Sequence, residues 1–149
     1  MSISRLTVFS LIILFFSFLV FLFFSNPVQA PTLTTISIGS AEINVEIARS
    51  TEELLQGLSG RENVDGGMWF IFPKDDYYGI WMKEMLFPLD IIWVGNDLTV
   101  VHIEENVSPD SFPHTFKPSV KARYVLEVPA GFAAQHGVQK GTAVEFFER

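Results

Sequence analysis

Residues 78–94 read "YGIWMKEMLFPLDIIWV", an apolar run that nevertheless carries Lys83, Glu84 and Asp90. A lysine and a carboxylate held together away from water form an acid/base pair. Burial and mutual attraction shift both protonation equilibria, and proton transfer to a substrate needs that. Along the β-rich run 89–94, Asp90 shares a face with Ile92 and Val94, while Leu89, Ile91 and Trp93 hold the other. Neither face leads to water, so the carboxylate needs partners. Lys83 reaches it if the chain folds over at Phe87-Pro88, and Arg61 and Arg123 are further cationic candidates. The plainer reading is structural: an ion pair, or a carboxylate accepting backbone N–H groups at a turn. The functional reading is a polar floor beneath a ligand site, or an acid/base pair.

A second candidate is the acidic, aromatic stretch Asp75-Asp76-Tyr77-Tyr78. It is either a solvated turn or a carbohydrate-type contact, with rings to stack on sugars and carboxylates to accept hydroxyl donors. Gly57-Leu58-Ser59-Gly60-Arg61 resembles a serine elbow only superficially. Arg61 fills the position where the elbow needs a second glycine, and the serine follows a helix pattern instead of a strand. His102, His114 and His136 show no ligand spacing, so no metal site and no cofactor are expected. The chain has no cysteine, which removes disulfides, thiolate zinc sites and a cysteine nucleophile.

These residues must be positioned by short strands. "LTTISIG" and "AEINVEIA" alternate around Gly39-Ser40 and predict a hairpin. Ser50 followed by Glu53 is a capping box and predicts a two-turn helix stopped by Gly57 and Gly60. "GGMWFIFP" predicts a strand closed by Pro73, with 74–78 as an exposed loop, and "GIWM" predicts another strand. Residues 88–105 predict a second hairpin around Gly95-Asn96-Asp97. Residues 106–118 form a long loop with Phe112 and Phe116, long enough to raise its chance of a functional role. "ARYVLEVP", a short helix in "AGFAAQHG" and a last strand "GTAVEFFE" complete the chain. Glu127 falls on a strand face with Arg123 and Val125, where a partner on a neighbouring strand is expected. The fold class is mainly β: a small barrel or sandwich of about eight strands, with two short helices plugging its ends.

The N-terminus reads differently. Residues 6–24 hold no charge and no polar face, and as a helix they reach roughly 28 Å, close to a bilayer core. Residues 1–24 are read as a signal anchor or signal peptide, 25–32 as a linker and 33–149 as an extracytoplasmic domain. A membrane anchor is the first expectation; cleavage after Ala30, giving a secreted or periplasmic protein, is the alternative. Setting Arg5 aside, nine basic residues stand against seventeen acidic ones, a net −8 for the exported part. Such a surface repels phosphate backbones, so nucleic acid is not an expected partner.

"GLSGR", "GGMWFIF", "IWMKEMLFPLDIIWV", "LTVVHI" and "ARYVLEVPAGFAAQHGVQKGTAVEF", in that order, resemble the domain of unknown function 192 family. Its pattern runs Gly-Leu-Met-x-Arg, Gly-Met-Leu-Phe-x-Phe, Phe-Trp-Met-Lys-Asn-Thr, Pro-Leu-Asp-Ile, then Leu-Glu-x-x-x-Gly. The resemblance spans residues 36–147 and implies a β-barrel-like fold on an exported or membrane-attached protein, with no established activity. Arg61, Lys83 and Asp90 match the pattern; Ser59 replaces its Met, and Glu84-Met85 replace its Asn-Thr. The expected function is a binding or accessory module of the cell envelope, for a small polar ligand, a glycan or a partner protein. The binding candidates are Arg61, Lys83, Asp90, Asp75, Asp76, Tyr77 and Tyr78. The alternatives are a hydrolase or lyase using Asp90 and Lys83 as acid and base, and a structural partner of another envelope protein.

Overall fold

The structure, a computed structural model, describes residues 33–147. The expected anchor and linker, and the cleavage point after Ala30, lie outside them. Among the described residues no helix is long and apolar enough to cross a membrane.

The architecture is mainly β. The strands are β1 (Leu33–Ile38), β2 (Ala41–Ala48), β3 (Gly67–Asp76), β4 (Ile80–Trp81), β5 (Leu89–Val94), β6 (Val100–Val107), β7 (Thr115–Phe116), β8 (Ala122–Pro129) and β9 (Val144–Phe147). The helices are α1 (Thr51–Gln56) and α2 (Phe132–His136), with a 3-10 turn at Pro109–Ser111. Seven strands form one sheet in the order β6-β5-β8-β3-β2-β1-β9, while β4 and β7 pair separately. The sheet curls into a half-barrel. Its two outer strands approach each other at one end, through a single bridge between Thr99 and Ala143. Val100 N donates to Thr142 O there at 2.9 Å, and Val144 N to Leu98 O at 2.8 Å. The expected closed barrel or sandwich of about eight strands is therefore corrected to a curled seven-stranded sheet with a two-stranded ribbon. The bridge falls short of a ladder, so the outer strands never zip into a barrel.

Side chains alternate across the sheet, and both faces are buried. Met68, Phe70, Phe72, Leu89, Ile91, Trp93 and Val125 pack on one face. Ile36, Val45, Trp69, Ile92, Val94, Leu126 and Val128 pack on the other. The first face is covered by Leu54 of α1, by Leu58, and by Ile80, Met82 and Met85 around β4. The second is closed by Ala133 of α2 and by Val138. This explains the lack of a polar face in β5, whose six residues are all buried.

Three elements depart from the sequence reading. First, β2 and β3 run parallel, with α1 in the connection between them. α1 thus belongs to a crossover over the sheet instead of plugging a barrel end. Second, β3 continues past Pro73 to Asp76, so Lys74, Asp75 and Asp76 are strand residues and not the exposed loop expected. The proline, which has no N–H to give, sits where the β3–β8 register shifts between Ile71 and Asp76. Third, the positive φ of the β5–β6 turn is carried by Leu98 (57°) and not by the Gly-Asn-Asp residues that favour it. The capping box of α1 forms as read: Glu53 N donates to Ser50 Oγ (3.2 Å) and Ser50 N to Glu53 Oε2 (2.8 Å). Arg49 N also donates to Glu53 Oε2 (2.9 Å), and the backbone N–H groups of Arg49 first and then Ser50 hold the Glu53 carboxyl below its ordinary range.

Candidate functional site

Asp90 is fully buried, and its partners are backbone groups. Oδ1 accepts from Asn106 N (2.8 Å) and Gly131 N (3.2 Å), and Oδ2 accepts from Ala133 N (2.8 Å). Gly131 precedes α2, which has no side-chain cap of its own. The carboxylate therefore caps α2 from across the fold and holds Asn106 at its positive φ of 54°. Of the plainer readings of Asp90, acceptance of backbone N–H groups is the one realised.

Lys83 does not meet Asp90. Its ammonium lies 3.8 Å from Glu84 Oε1, and both side chains are at least half exposed. The two residues are not brought together as an acid/base pair. Lys83→Met is expected to change unfolding free energy by less than about 0.5 kcal/mol, as for an exposed ion pair. A urea titration checks this, and a loss of several kcal/mol would contradict it.

Arg61 forms a two-pronged ion pair with Glu46 on β2, with Nη2–Oε2 at 2.9 Å. Hydrogen bonding to Glu46 raises the guanidinium's proton affinity further. The acidic-aromatic stretch is divided among local contacts. Asp75 lies 3.9 Å from Arg123, which also donates to Pro73 O at 2.7 Å. Asp76 lies 3.3 Å from Lys74. The backbone N–H of Tyr77, then Lys74, lowers the proton affinity of the Asp76 carboxyl. Tyr78 stacks on Phe72 at 3.6 Å and donates its hydroxyl to Lys74 O. Tyr77 remains exposed. The two tyrosines therefore do not make a shared stacking platform.

Glu127, for which the sequence predicts a partner on a neighbouring strand, is not among the binding candidates, yet it is the residue the structure sets apart. It sits mid-strand in β8, paired in register with Met68 on β3 and Ile91 on β5, on the sheet face that α1 and β4 cover. It is 6% exposed. Among the described residues no hydrogen bond or ion pair reaches its carboxyl, and the expected partner on a neighbouring strand is absent. Burial pushes its pKa up to about 8, from an ordinary 4.5.

Above it lies a cleft of about 60 Å³, room for a few water molecules. Glu127 lies on its floor with Phe70; Leu54, Leu58, Ile80 and Met85 are among its walls. Leu55 and Trp81, which also line it, are 76% and 50% exposed and mark the mouth. Phe112 packs edge-on against Trp81 at 5.9 Å, bringing the segment between β6 and β7 to the rim; the long loop expected over 106–118 is broken by the end of β6, the 3-10 turn and β7. Two hydrogen bonds pin the β4 turn to the end of α1: Ser59 Oγ donates to Lys83 O (2.9 Å), and Gly60 N to Glu84 O (2.8 Å). The Lys-Glu pair inside the apolar stretch is therefore the solvent side of a turn whose backbone builds the cleft wall.

Gly57 keeps the cleft open. Its φ of 50° and ψ of −134° belong to a region that glycine alone adopts without strain. A methyl group there would lie 3.3 Å from Phe70 Cζ and 4.0 Å from Glu127 Oε2. Among the described residues no cluster of three or more metal-binding side chains occurs.

A profile of the domain of unknown function 192, described as "Uncharacterized ACR", matches residues 34–146. The chain belongs to the DUF192 family. Solved structures share the DUF192 fold seen here. One, from Sinorhizobium meliloti 1021, is described as a "putative transcription regulator"; it is 29% identical, with a TM-score of 0.73, over 78% of this chain and 95% of that one. Another, a protein of unknown function from Novosphingobium aromaticivorans DSM 12444, is 30% identical, with a TM-score of 0.73, over 80% of this chain and 89% of that one. No curated protein matches the chain. In this DUF192 domain, Lys83 and Asp90 stand on opposite sides of the functional question: Asp90 ties backbone together, and Lys83 faces solvent.

Proposed function

We propose that this DUF192 domain is a small-ligand-binding module, carried on the outer face of a membrane by its N-terminal segment. The observation that carries the binding reading is the buried, unpartnered carboxyl on the floor of an open cleft. A carboxyl held at the bottom of a largely apolar cleft, with no protein partner, costs free energy in its ionised form relative to open solvent. Such a cost is kept where a ligand supplies the missing partner. The membrane placement rests on the uncharged run 6–24, and its orientation on Arg5 at the N-terminal end of that run.

Binding is preferred to catalysis because the cleft lining holds one titratable side chain, Glu127. A carboxyl with a raised pKa suits a general acid, but the Ser59 hydroxyl, which also lines the cleft, is committed to Lys83 O. The net −8 of the domain opposes direct contact with DNA, which weighs against carrying over the description "putative transcription regulator" of the Sinorhizobium protein.

A chemically diverse panel of small fragments tests this reading by methyl NMR on the full-length chain in mild detergent. Fragments that bind are expected to shift the Met85 and Ile80 methyl signals together. A panel that moves neither, or that moves only signals remote from the cleft, would overturn the reading.

A further inference from the structure

We propose that the ligand of the Glu127 cleft is a small alkylammonium, whose charged head meets the carboxyl while Trp81 and Leu55 cover its aliphatic stem. This rests on the cleft being a binding site.

The argument is one of unmatched hydrogen-bonding capacity. Gln56 gives an amide N–H to Ser59 O at 3.0 Å, and Ser59 gives its hydroxyl to Lys83 O at 2.9 Å. Gln56 keeps its second amide N–H, and Trp81, at the mouth, its indole N–H; once Glu127 is ionised the acceptors of the lining side chains still outnumber these donors: the two Glu127 oxygens, Gln56 Oε1 and the Ser59 lone pairs. An ammonium is donor only, with three N–H groups and no lone pair. Beside the ionised carboxylate an alcohol or amide brings an acceptor that gains nothing from Glu127, whereas an ammonium brings donors alone. Size agrees, because about 60 Å³ holds a head group and little more, leaving the stem at the apolar rim. Long-range charge agrees too: a domain of net −8 concentrates cations and repels anions.

Among the described residues no cation competes for the carboxyl. Across the sheet Glu127 faces Met68 and Ile91. Arg123, four residues away on β8, is held by Pro73 O and Asp75. On α1, Glu53 is committed to the Arg49 and Ser50 backbone, and Glu52 lies outside the cleft. Lys83 and Glu84 lean on each other in solvent, and neither lines the cleft.

Binding a cation requires Glu127 to release its proton. Affinity therefore rises about tenfold per pH unit until the carboxyl is ionised. The experiment titrates n-propylammonium and, separately, 1-propanol into the full-length chain in mild detergent, following the Met85 and Ile80 methyl signals at pH 6 and pH 8. The expected result is saturable binding of propylammonium, at least tenfold tighter at pH 8, with 1-propanol much weaker. Glu127→Gln, which keeps the shape, is expected to lose the ammonium site. Equal binding of 1-propanol, or ammonium binding that survives Glu127→Gln or ignores pH, would overturn the proposal and leave a neutral-ligand site standing. Failure of both probes would also overturn it, and the fragment panel then decides whether the binding reading falls as well.

Discussion

Asp90→Ala is expected to be the most damaging single change in the domain, costing about 4 kcal/mol or more of unfolding free energy. The substitution leaves three buried backbone N–H groups, those of Asn106, Gly131 and Ala133, without an acceptor. Each orphaned donor costs about 1–3 kcal/mol. The loss also uncaps α2, a five-residue helix that lacks a capping side chain. A domain of this size has about 5–15 kcal/mol in total, so the alanine variant sits near the edge of folding. Asp90→Asn gives the readable intermediate. It keeps one carbonyl oxygen and turns an NH2 group toward a backbone donor, for an expected loss of about 2–4 kcal/mol. Urea unfolding measures both. A loss below about 1 kcal/mol in the asparagine variant would show that Asp90 does not tie these segments together.

Glu127→Gln is expected to act in the opposite direction and to stabilise the protein. The folded state holds the Glu127 proton up to about pH 8, while the unfolded chain releases it near 4.5. Below 4.5 both states are protonated, and the group contributes in full. As pH rises from 4.5 to 8 the unfolded state binds fewer protons than the folded state, and stability falls at up to about 1.4 kcal/mol per pH unit. Above 8 both states are ionised and the loss is complete. Glutamine has nothing to titrate, so the variant lacks this slope. Near pH 8 it is expected to exceed the wild type by on the order of 3 kcal/mol, with little difference near pH 4.5. Denaturant unfolding of both proteins across this range reads the difference directly. Parallel curves would mean that Glu127 is solvated or partnered in the folded state. A stabilising substitution at a floor residue also fits a group retained for binding instead of for folding.

Much of the scaffold was legible in the sequence. The strand alternation of 33–48, the capping box at Ser50 and the turn near Gly95 are local signals, and local physics decides them. The parallel pairing of β2 with β3 was not legible, because a six-residue α1 fits a plug at a barrel end as well as a crossover between parallel strands. Half-barrel and barrel give the same strand pattern; the difference lies in how far two distant segments, 98–100 and 141–144, zip together.

The site was half legible. For Asp90, the observation that both strand faces are apolar led to the correct demand for partners, and backbone donors meet it. The same observation applies to Glu127, flanked by Leu126 and Val128 with Val125 on its own face. There a cation at strand distance is the natural expectation, yet among the described residues no partner reaches the carboxyl. Tyr77-Tyr78 and Asp75-Asp76 drew notice as a cluster in sequence, but strand alternation and the Phe72 stack send them to different neighbours. The cleft itself depends on Gly57 and on two hydrogen bonds between segments 24 residues apart, which no local pattern encodes.

The most direct test of the account is the protonation of Glu127 in the folded protein. Carbon-detected NMR of the glutamate side-chain carboxyls, assigned by comparison with Glu127→Gln, follows that one signal through a pH titration. The account predicts a midpoint near 8 for this carboxyl. A midpoint near the ordinary 4.5 would mean that the group is already solvated or partnered, and the cleft would lose its claim to be a site.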